Sequence, residues 1–380
     1  MSSPDERAIG IALSGGGVRA VAFHAGALRR VAEVHRLHQV VHLSTVSGGS
    51  LFSGLVFHFA DCKWPSNDAY LNEVFPRVRE LLTNSSLQRN ALLRLARPNN
   101  WRHLFSRANV LAQSLEKDWK IQLLLRDLPQ CPVWSINGSC AESGRRFRFK
   151  SCEMGDYESG YAQVPEFPLA AAMAMSAAFP AGIGPLTVVT SKYAWTKKAN
   201  WGATESKPHM PQFPRLHLYD GGVYDNLGLE PLFDIGKQQL KPPEDRAERA
   251  PEIDYLLVSD AGLGYARKPL PHPLNPSRLR RVADLAFGQV RDLRVRALMN
   301  YFDQHPSAGA LLPIGWGPRK GEPPPDSGPY LTRAEMLAAA ALETSLQRLS
   351  PEQFDLVARH GYETAYWATL NLLPPAMNAR

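Results

Sequence analysis

The sequence predicts an α/β fold with a mainly parallel central sheet. The first sixty residues read as strand, glycine turn, helix, strand, sharp turn, helix. Strands then return beyond residue 130, after a helical stretch. Strand–helix–strand units with short links pair their strands in parallel, with right-handed crossovers. At 380 residues the chain suffices for one large domain or two ordinary ones, and 44% hydrophobic residues against 21% charged are enough for a real core.

Taken in order, "AIGIALS" (8–14) is a short apolar strand, and "SGGG" (14–17) is a turn that glycines tolerate best. From Val18 to about His38, Val21, Ala25, Leu28 and Ala32 recur at helical spacing, with Arg29, Arg30, Glu33 and Arg36 mostly opposite. "QVVHLSTV" (39–46) is a second strand. Residues 50–60 are apolar almost all round, as in a helix at the centre of a domain. Residues 64 to about 128 are mostly helical and richer in Arg and Asn. Strands follow at 131–139 and 145–151, then a small-residue helix at 168–179 and strands at 215–222 and 255–262.

The polar, Pro-rich segment 241–251 reads as a surface excursion. The last hundred residues read as helices joined by a segment, 317–329, expected to be mobile. One core over 8–265, with a lid-like helical insert at about 64–128 and C-terminal helices (266–380) packed on the same domain, is simpler than two domains. The uncharged run 167–191 is long enough to span a bilayer by count, but Pro168, Pro180, Pro185, Gly182 and Gly184 would break a single helix. A buried helix, a turn and a strand are expected instead.

The opening "MSSPDERAIG" has no basic stretch followed by an apolar one, so a cytoplasmic protein is expected. Cys62, Cys131, Cys140 and Cys152 form no C-x-x-C pair, and no His/Cys cluster has zinc-ligand spacing, so neither metal nor cofactor is implied. The net charge of +7 suits an acidic partner such as an anionic membrane or a nucleic acid, and no nucleic-acid module is visible.

Both early turns place special residues where a strand ends and a helix begins, the usual ligand position in open α/β sheets. Gly15, Gly16 and Gly17 let backbone N–H groups face a small anion at a helix N-terminus. Ser47 lies between a strand and Gly48-Gly49, which permits a sharp turn and leaves the hydroxyl clear. The usual nucleophile elbow is G-x-S-x-G, and here Thr45 replaces its first glycine. Asp220, ending a strand before Gly221-Gly222, is the candidate base; Asp225 and Asn226 read as the cap of a following helix.

Other readings compete. "SGGGVRA" also fits a dinucleotide fingerprint, but no acidic residue ends the second strand to hold a ribose. Ser14 precedes glycines too and rivals Ser47.

Together, Gly15-Gly16-Gly17-Val18-Arg19-Ala20, Ser47 in its elbow and Asp220-Gly221-Gly222 resemble the patatin-like phospholipases, lipid acyl hydrolases with a Ser-Asp dyad. The resemblance extends to "AAAMAMSAAFP" and "YLLVSDAG", covers about residues 8–265, and implies a three-layer fold. It implies further that Ser47 attacks an ester carbonyl, Asp220 takes its proton, and the Gly15–Gly17 amides hold the oxyanion, with no histidine or metal. Arg19 would assist the oxyanion or meet a lipid phosphate. Ala20 stands where the family usually has glycine, a mild change; Thr45 is expected to sit in β conformation. A phospholipid membrane surface is the implied partner and substrate, with another acyl ester or thioester, or a non-catalytic lipid-binding protein, as alternatives. Some bacterial relatives are switched on by an activating partner or small messenger.

Residues 84–109 hold five arginines and no acidic residue, interleaved with Leu87, Leu92, Leu93, Leu95, Trp101, Leu104 and Phe105. That mixture suits a segment at a lipid headgroup boundary, or a basic helix packed by its leucines. In a second basic helix, 277–302, Val282, Ala286, Val290, Leu293 and Ala297 form a stripe expected to pack inward.

Overall fold

Five apolar or small residues in a row give β1 (Ile9–Leu13) two covered faces, and it lies centrally in a 12-stranded sheet. The computed structural model describes residues 7–369, except 105, 181, 199–204, 243–250, 263–268, 273–274, 276 and 318–329. β1 is followed by α1 (Gly17–Glu33), β2 (Val40–Val46) and α2 (Gly48–Phe59). The insert comprises α3 (Asn67–Ala69), a π-helical turn, α4 (Phe75–Asn84), α5 (Leu87–Leu95), a 3₁₀ turn at Pro98–His103 and α6 (Ala108–Lys117).

β3 (Val133–Cys140), β4 (Arg146–Lys150), β5 (Glu153–Asp156) and β6 (Gly160–Gln163) lead to α7 (Leu169–Ser176). Then come β7 (Leu186–Val189), β8 (Trp195–Lys198), β9 (Ser206–His209), β10 (Arg215–Asp220) and the one-turn α8 (Gly222–Asp225). A two-residue ribbon, β11 (Phe233–Asp234) with β12 (Gln239–Leu240), precedes β13 (Tyr255–Asp260), α9 (Ser277–Gln304), β14 (Gly309–Pro313), α10 (Arg333–Ala341) and α11 (Pro351–Thr369).

The sheet order is β14-β13-β1-β2-β3-β4-β5-β6-β8-β9, with β10 paired to β3 and β7. From β14 to β3 every neighbouring pair is parallel; beyond β3 the pairs are antiparallel. Side chains alternate between two cores, as the period of a strand requires. Tyr255 and Leu257 join the larger core, under α1, α2 and α11, while Leu256 and Val258 join a smaller one with Leu298 and Phe302 of α9. Helices therefore cover both faces, the three-layer α/β fold expected from the resemblance. α1 and α11 touch backbone to backbone, because a side chain at Gly26 would strike Ala358 and one at Gly361 would strike Phe23.

Three expectations need correction. β14 lies in a stretch read as helical: its "GALLP" is too short for periodicity to separate strand from helix, and parallel pairing with β13 decides it. The α9 stripe does not pack inward; Val282 and Leu293 are 57% and 58% exposed. α9 is oriented by ion pairs instead, Arg291 with Asp260 and Arg294 with Glu230, and its apolar anchorage is Leu298, Tyr301 and Phe302. The helix expected after Asn226 is absent, and Leu227–Leu232 is turn and irregular backbone. The uncharged run gives α7, a turn and β7, and among the described residues no helix is long and apolar enough to cross a membrane. Segment 317–329 beyond Gly317, and most of 241–251, lie outside the described residues.

Candidate active site

The site forms where β1, β2 and β10 end. β3 pairs Asn137 with Val46 of β2 and Gly138 with Asp220 of β10 along one edge, its other edge being taken by β4, so β2 and β10 meet end to end and register alone brings Ser47 and Asp220 together.

Ser47 is a single residue between β2 and α2, held at φ 50°, ψ −115°. A non-glycine residue there stores about 1–3 kcal/mol of strain, which the surrounding packing must offset. The positive φ falls on the serine itself, so Thr45 stays extended within β2, as expected. Thr45 also has an assigned task. Trp134 donates its indole N–H to the Thr45 hydroxyl (2.8 Å), Thr45 pairs with Ser50 (2.7 Å), and Ser50 with Ser176 (2.8 Å). Ser176 donates to the Asn137 carbonyl (2.7 Å) and accepts the Ser47 backbone N–H (3.0 Å). With that last proton committed to a carbonyl, every proton in the chain runs one way, from Trp134 through Thr45, Ser50 and Ser176 to Asn137. The elbow is thus held by a fully satisfied hydroxyl relay.

Asp220 is 5% exposed. Burial pushes its carboxyl up to about 6, against the hydrogen bond it accepts from the Gly222 N–H (2.7 Å) and the lowering influence of the nearby Ser47 hydroxyl. At neutral pH it is ionised yet more basic than an exposed aspartate, the combination a general base needs.

The glycine loop faces the same space. Gly16 (φ 145°) and Gly17 (φ 62°) adopt conformations that L side chains rarely reach. A side chain at Gly48 would come within 2.8 Å of Ala20 Cβ and 3.1 Å of the Gly17 nitrogen, so the elbow and the loop are in direct contact. The three expected amides are not equivalent. Gly15 N–H is taken by the Asn226 carbonyl (3.1 Å) and Val18 N–H by Ser345 (3.0 Å), whereas those of Gly16 and Gly17 have no partner among the described residues. α1 and α2 both direct their positive ends here, the electrostatic setting for an anion.

Arg19 requires a correction. It is fully buried and donates to the carbonyls of Ala340 (3.1 Å), Leu342 (2.6 Å) and Ala261 (2.9 Å). Its guanidinium points at the end of α10 and cannot reach a lipid phosphate; it fastens the C-terminal region to the loop. Ser14 is likewise buried and committed, accepting Ala261 N–H (2.8 Å) and donating to Gly15 O (3.1 Å), so it does not rival Ser47. Beneath it, buried His24 donates from Nε2 to Ser14 O (3.0 Å) and accepts the Ser259 hydroxyl at Nδ1 (2.7 Å); burial lowers its pKa to about 4, so it stays neutral.

Ser176 and Asn226 escaped the sequence reading as site residues. Ser176 is the only polar residue of α7, a signal in retrospect. The Asn226 amide lies against Gly15, Gly222 and Gly262, between the glycine loop and the Asp220 turn, and Asp225 caps the turn that follows through Leu227 (3.1 Å) and Glu230 (2.9 Å).

Residues 11–233 match a family model described as patatin-like phospholipase. The fold is similar to that of human GIVD cytosolic phospholipase A2 (TM-score 0.56, 14% identity, covering 98% of this chain and 60% of that one). It is also similar to the human protein in complex with methyl γ-linolenyl fluorophosphonate (TM-score 0.52, 15% identity, 98% and 59%). The chain therefore spans about three fifths of the length of those structures, and at these identities the likeness is one of fold. No curated protein matches the sequence.

Proposed function

We propose that this chain, which belongs to the patatin-like phospholipase family, cleaves fatty-acyl esters of membrane phospholipids through a Ser47–Asp220 dyad. The family makes it a lipid acyl hydrolase; the dyad, the oxyanion donors and the phospholipid substrate are our reading. One observation carries it: strand register sets Ser47, on its strained turn, beside the buried Asp220 carboxylate, next to two loop amides without a partner among the described residues.

Asp220 removes the Ser47 proton as Oγ bonds to the ester carbonyl carbon. The carbonyl oxygen becomes an oxyanion, held by the Gly16 and Gly17 amides at the N-terminus of α1. The intermediate collapses, the C–O bond to the glycerol backbone breaks, and the leaving alkoxide takes the proton from Asp220. Water then adds to the acyl-enzyme, giving its proton to Asp220, and the Ser47–acyl bond breaks with return of that proton to Ser47. Fatty acid and lysophospholipid are the products. Residues 8–265 would supply all of these groups, and association with the membrane would be peripheral.

The test is fatty-acid release from mixed phospholipid vesicles, without added metal, by wild type, Ser47→Ala and Asp220→Ala. Release by the wild type alone is expected, with losses of at least about a thousandfold in both variants. Equal release by all three would sink the dyad. If phospholipid is untouched but a fluorophosphonate still labels Ser47, the substrate is another acyl ester.

A further inference from the structure

The face beside the site is apolar and basic at once. Leu92, Leu93 and Trp101 are 60%, 58% and 63% exposed, and Leu104 is 43% exposed. Arg89, Arg97, Arg102 and Arg107 are exposed among them, and residues 84–109 contain no carboxylate. Of the five arginines, Arg94 forms an ion pair, with Asp118 (2.6 Å). Cations and large apolar groups exposed together suit the headgroup–acyl boundary of an anionic bilayer, and chains rarely leave four such side chains in water without use.

This face is also tied to both halves of the site. On one side, Gln88 N–H donates to Leu346 O (3.0 Å), and the neighbouring Ser345 carbonyl accepts Val18 N–H and touches Gly17. A groove of about 680 Å³ runs along that seam, with Arg89, Leu92, Leu93 and Arg348 among its walls. On the other side, Ser106 Oγ donates to Pro185 O (2.8 Å) and Arg107 to Gly182 O (3.2 Å). Those carbonyls belong to the loop from Ala178, whose own carbonyl accepts Asp220 N–H (3.0 Å), through Phe179, itself 41% exposed.

We propose that α5 and the turn after it, residues 87–107, form the surface by which the protein docks on an anionic phospholipid bilayer. Leu92, Leu93, Trp101 and Leu104 enter the acyl boundary, and the exposed arginines meet headgroup phosphates. The proposal rests on the lipid-hydrolase reading above for its choice of partner. Docking here sets the Ser47 site at the membrane surface, with the glycine-loop seam and the 178–185 loop on its two flanks.

The experiment uses the full chain carrying Ser47→Ala, so that binding is read without turnover. Co-sedimentation is measured with phosphatidylcholine vesicles and with vesicles that also contain phosphatidylglycerol. Trp101→Ser with Leu104→Ser, and separately Arg89→Gln with Arg102→Gln, are compared after circular dichroism and thermal melting show that each is folded. The apolar pair should lose at least tenfold in partitioning to both vesicles. The arginine pair should lose about fivefold per arginine on the anionic vesicles alone, an effect that salt removes.

Unchanged partitioning in either pair, or equal wild-type binding to neutral and anionic vesicles, overturns the proposal. So does a wild-type dimer that the apolar substitutions dissociate while vesicle binding persists, since a second copy would then be the occupant. Because binding is read in the Ser47→Ala background, failure of the hydrolysis assay would sink the proposed function and leave this result standing.

Discussion

Trp134 donates its indole N–H to the hydroxyl of Thr45, the residue that stands where the elbow pattern has glycine. Trp134 is 3% exposed and Thr45 fully buried, so this proton has no water to turn to. Thr45→Val keeps the shape, removes the acceptor and breaks the relay to Ser176. A stranded buried donor costs about 1–3 kcal/mol, to be read as a loss in denaturant midpoint. Trp134→Phe keeps the stacking on Phe57 and removes the donor. The double variant should therefore be more stable than the sum of the two single losses predicts, and strict additivity would mean that the bond carries no coupling.

Ser176 offers the kinetic counterpart. It accepts the backbone N–H of Ser47, the proposed nucleophile, and its own proton is committed to the Asn137 carbonyl, so in the proposed reaction it is a positioning residue. Ser176→Ala should lower kcat by about 10- to 100-fold with little change in KM, because a slightly misplaced nucleophile loses reactivity before it loses binding. A rise in KM alone would place Ser176 in substrate binding.

The proposed dyad predicts a pH profile. Asp220 must be ionised to accept a proton, and burial sets its pKa at about 6. With wild type, kcat/KM on a soluble acyl ester should fall below about pH 6 with a slope of one, and His24, neutral from a pKa of about 4 upward, adds no limb above that value. An inflection near 4 would mean that Asp220 is solvated in the working enzyme.

Much of the site was legible because glycine reports backbone geometry directly. Gly15–Gly17, Gly48-Gly49 and Gly221-Gly222 each mark a place where chain passes close to chain, and the residues beside them are those the fold brings together. What could not be read depends on distant partners. Ser176 is 129 positions from Ser47, and one serine in an apolar helix has no local signature. Arg19 looked free because its acceptors are backbone carbonyls, which carry no sequence identity. The α9 stripe misled because Arg291 and Arg294 pair with Asp260, Asp225 and Glu230, and buried ion pairs outweigh a modest apolar face in setting a helix's rotation. Gly15 kept its place in the motif but not its role, since only the three-dimensional structure shows Asn226 occupying its amide.

Arg19 separates a structural from a lipid-binding role. Arg19→Met leaves three carbonyls, two of them buried and one partly buried, without their donor, a loss of about 2–4 kcal/mol in stability. Where the variant is folded, its activity on a neutral soluble ester and on phospholipid should fall by the same factor. A loss confined to phospholipid would restore the phosphate role.

Asp220 also links stability to pH, in the direction opposite to a salt-bridged carboxylate. Its pKa rises from 3.8 to about 6 on folding, so between those values the folded chain holds a proton that the unfolded chain has released. Stability from this group is therefore fullest below pH 4, falls as pH rises through about 6, and stays about 3 kcal/mol lower above it. Asp220→Asn removes the titration. Relative to wild type, the variant should gain stability steadily from pH 4 to 7 and hold the gain at higher pH, as seen in paired denaturant curves. Parallel curves across that range would show that the carboxylate is not desolvated, and with that the basis for its role as the dyad's base would be lost.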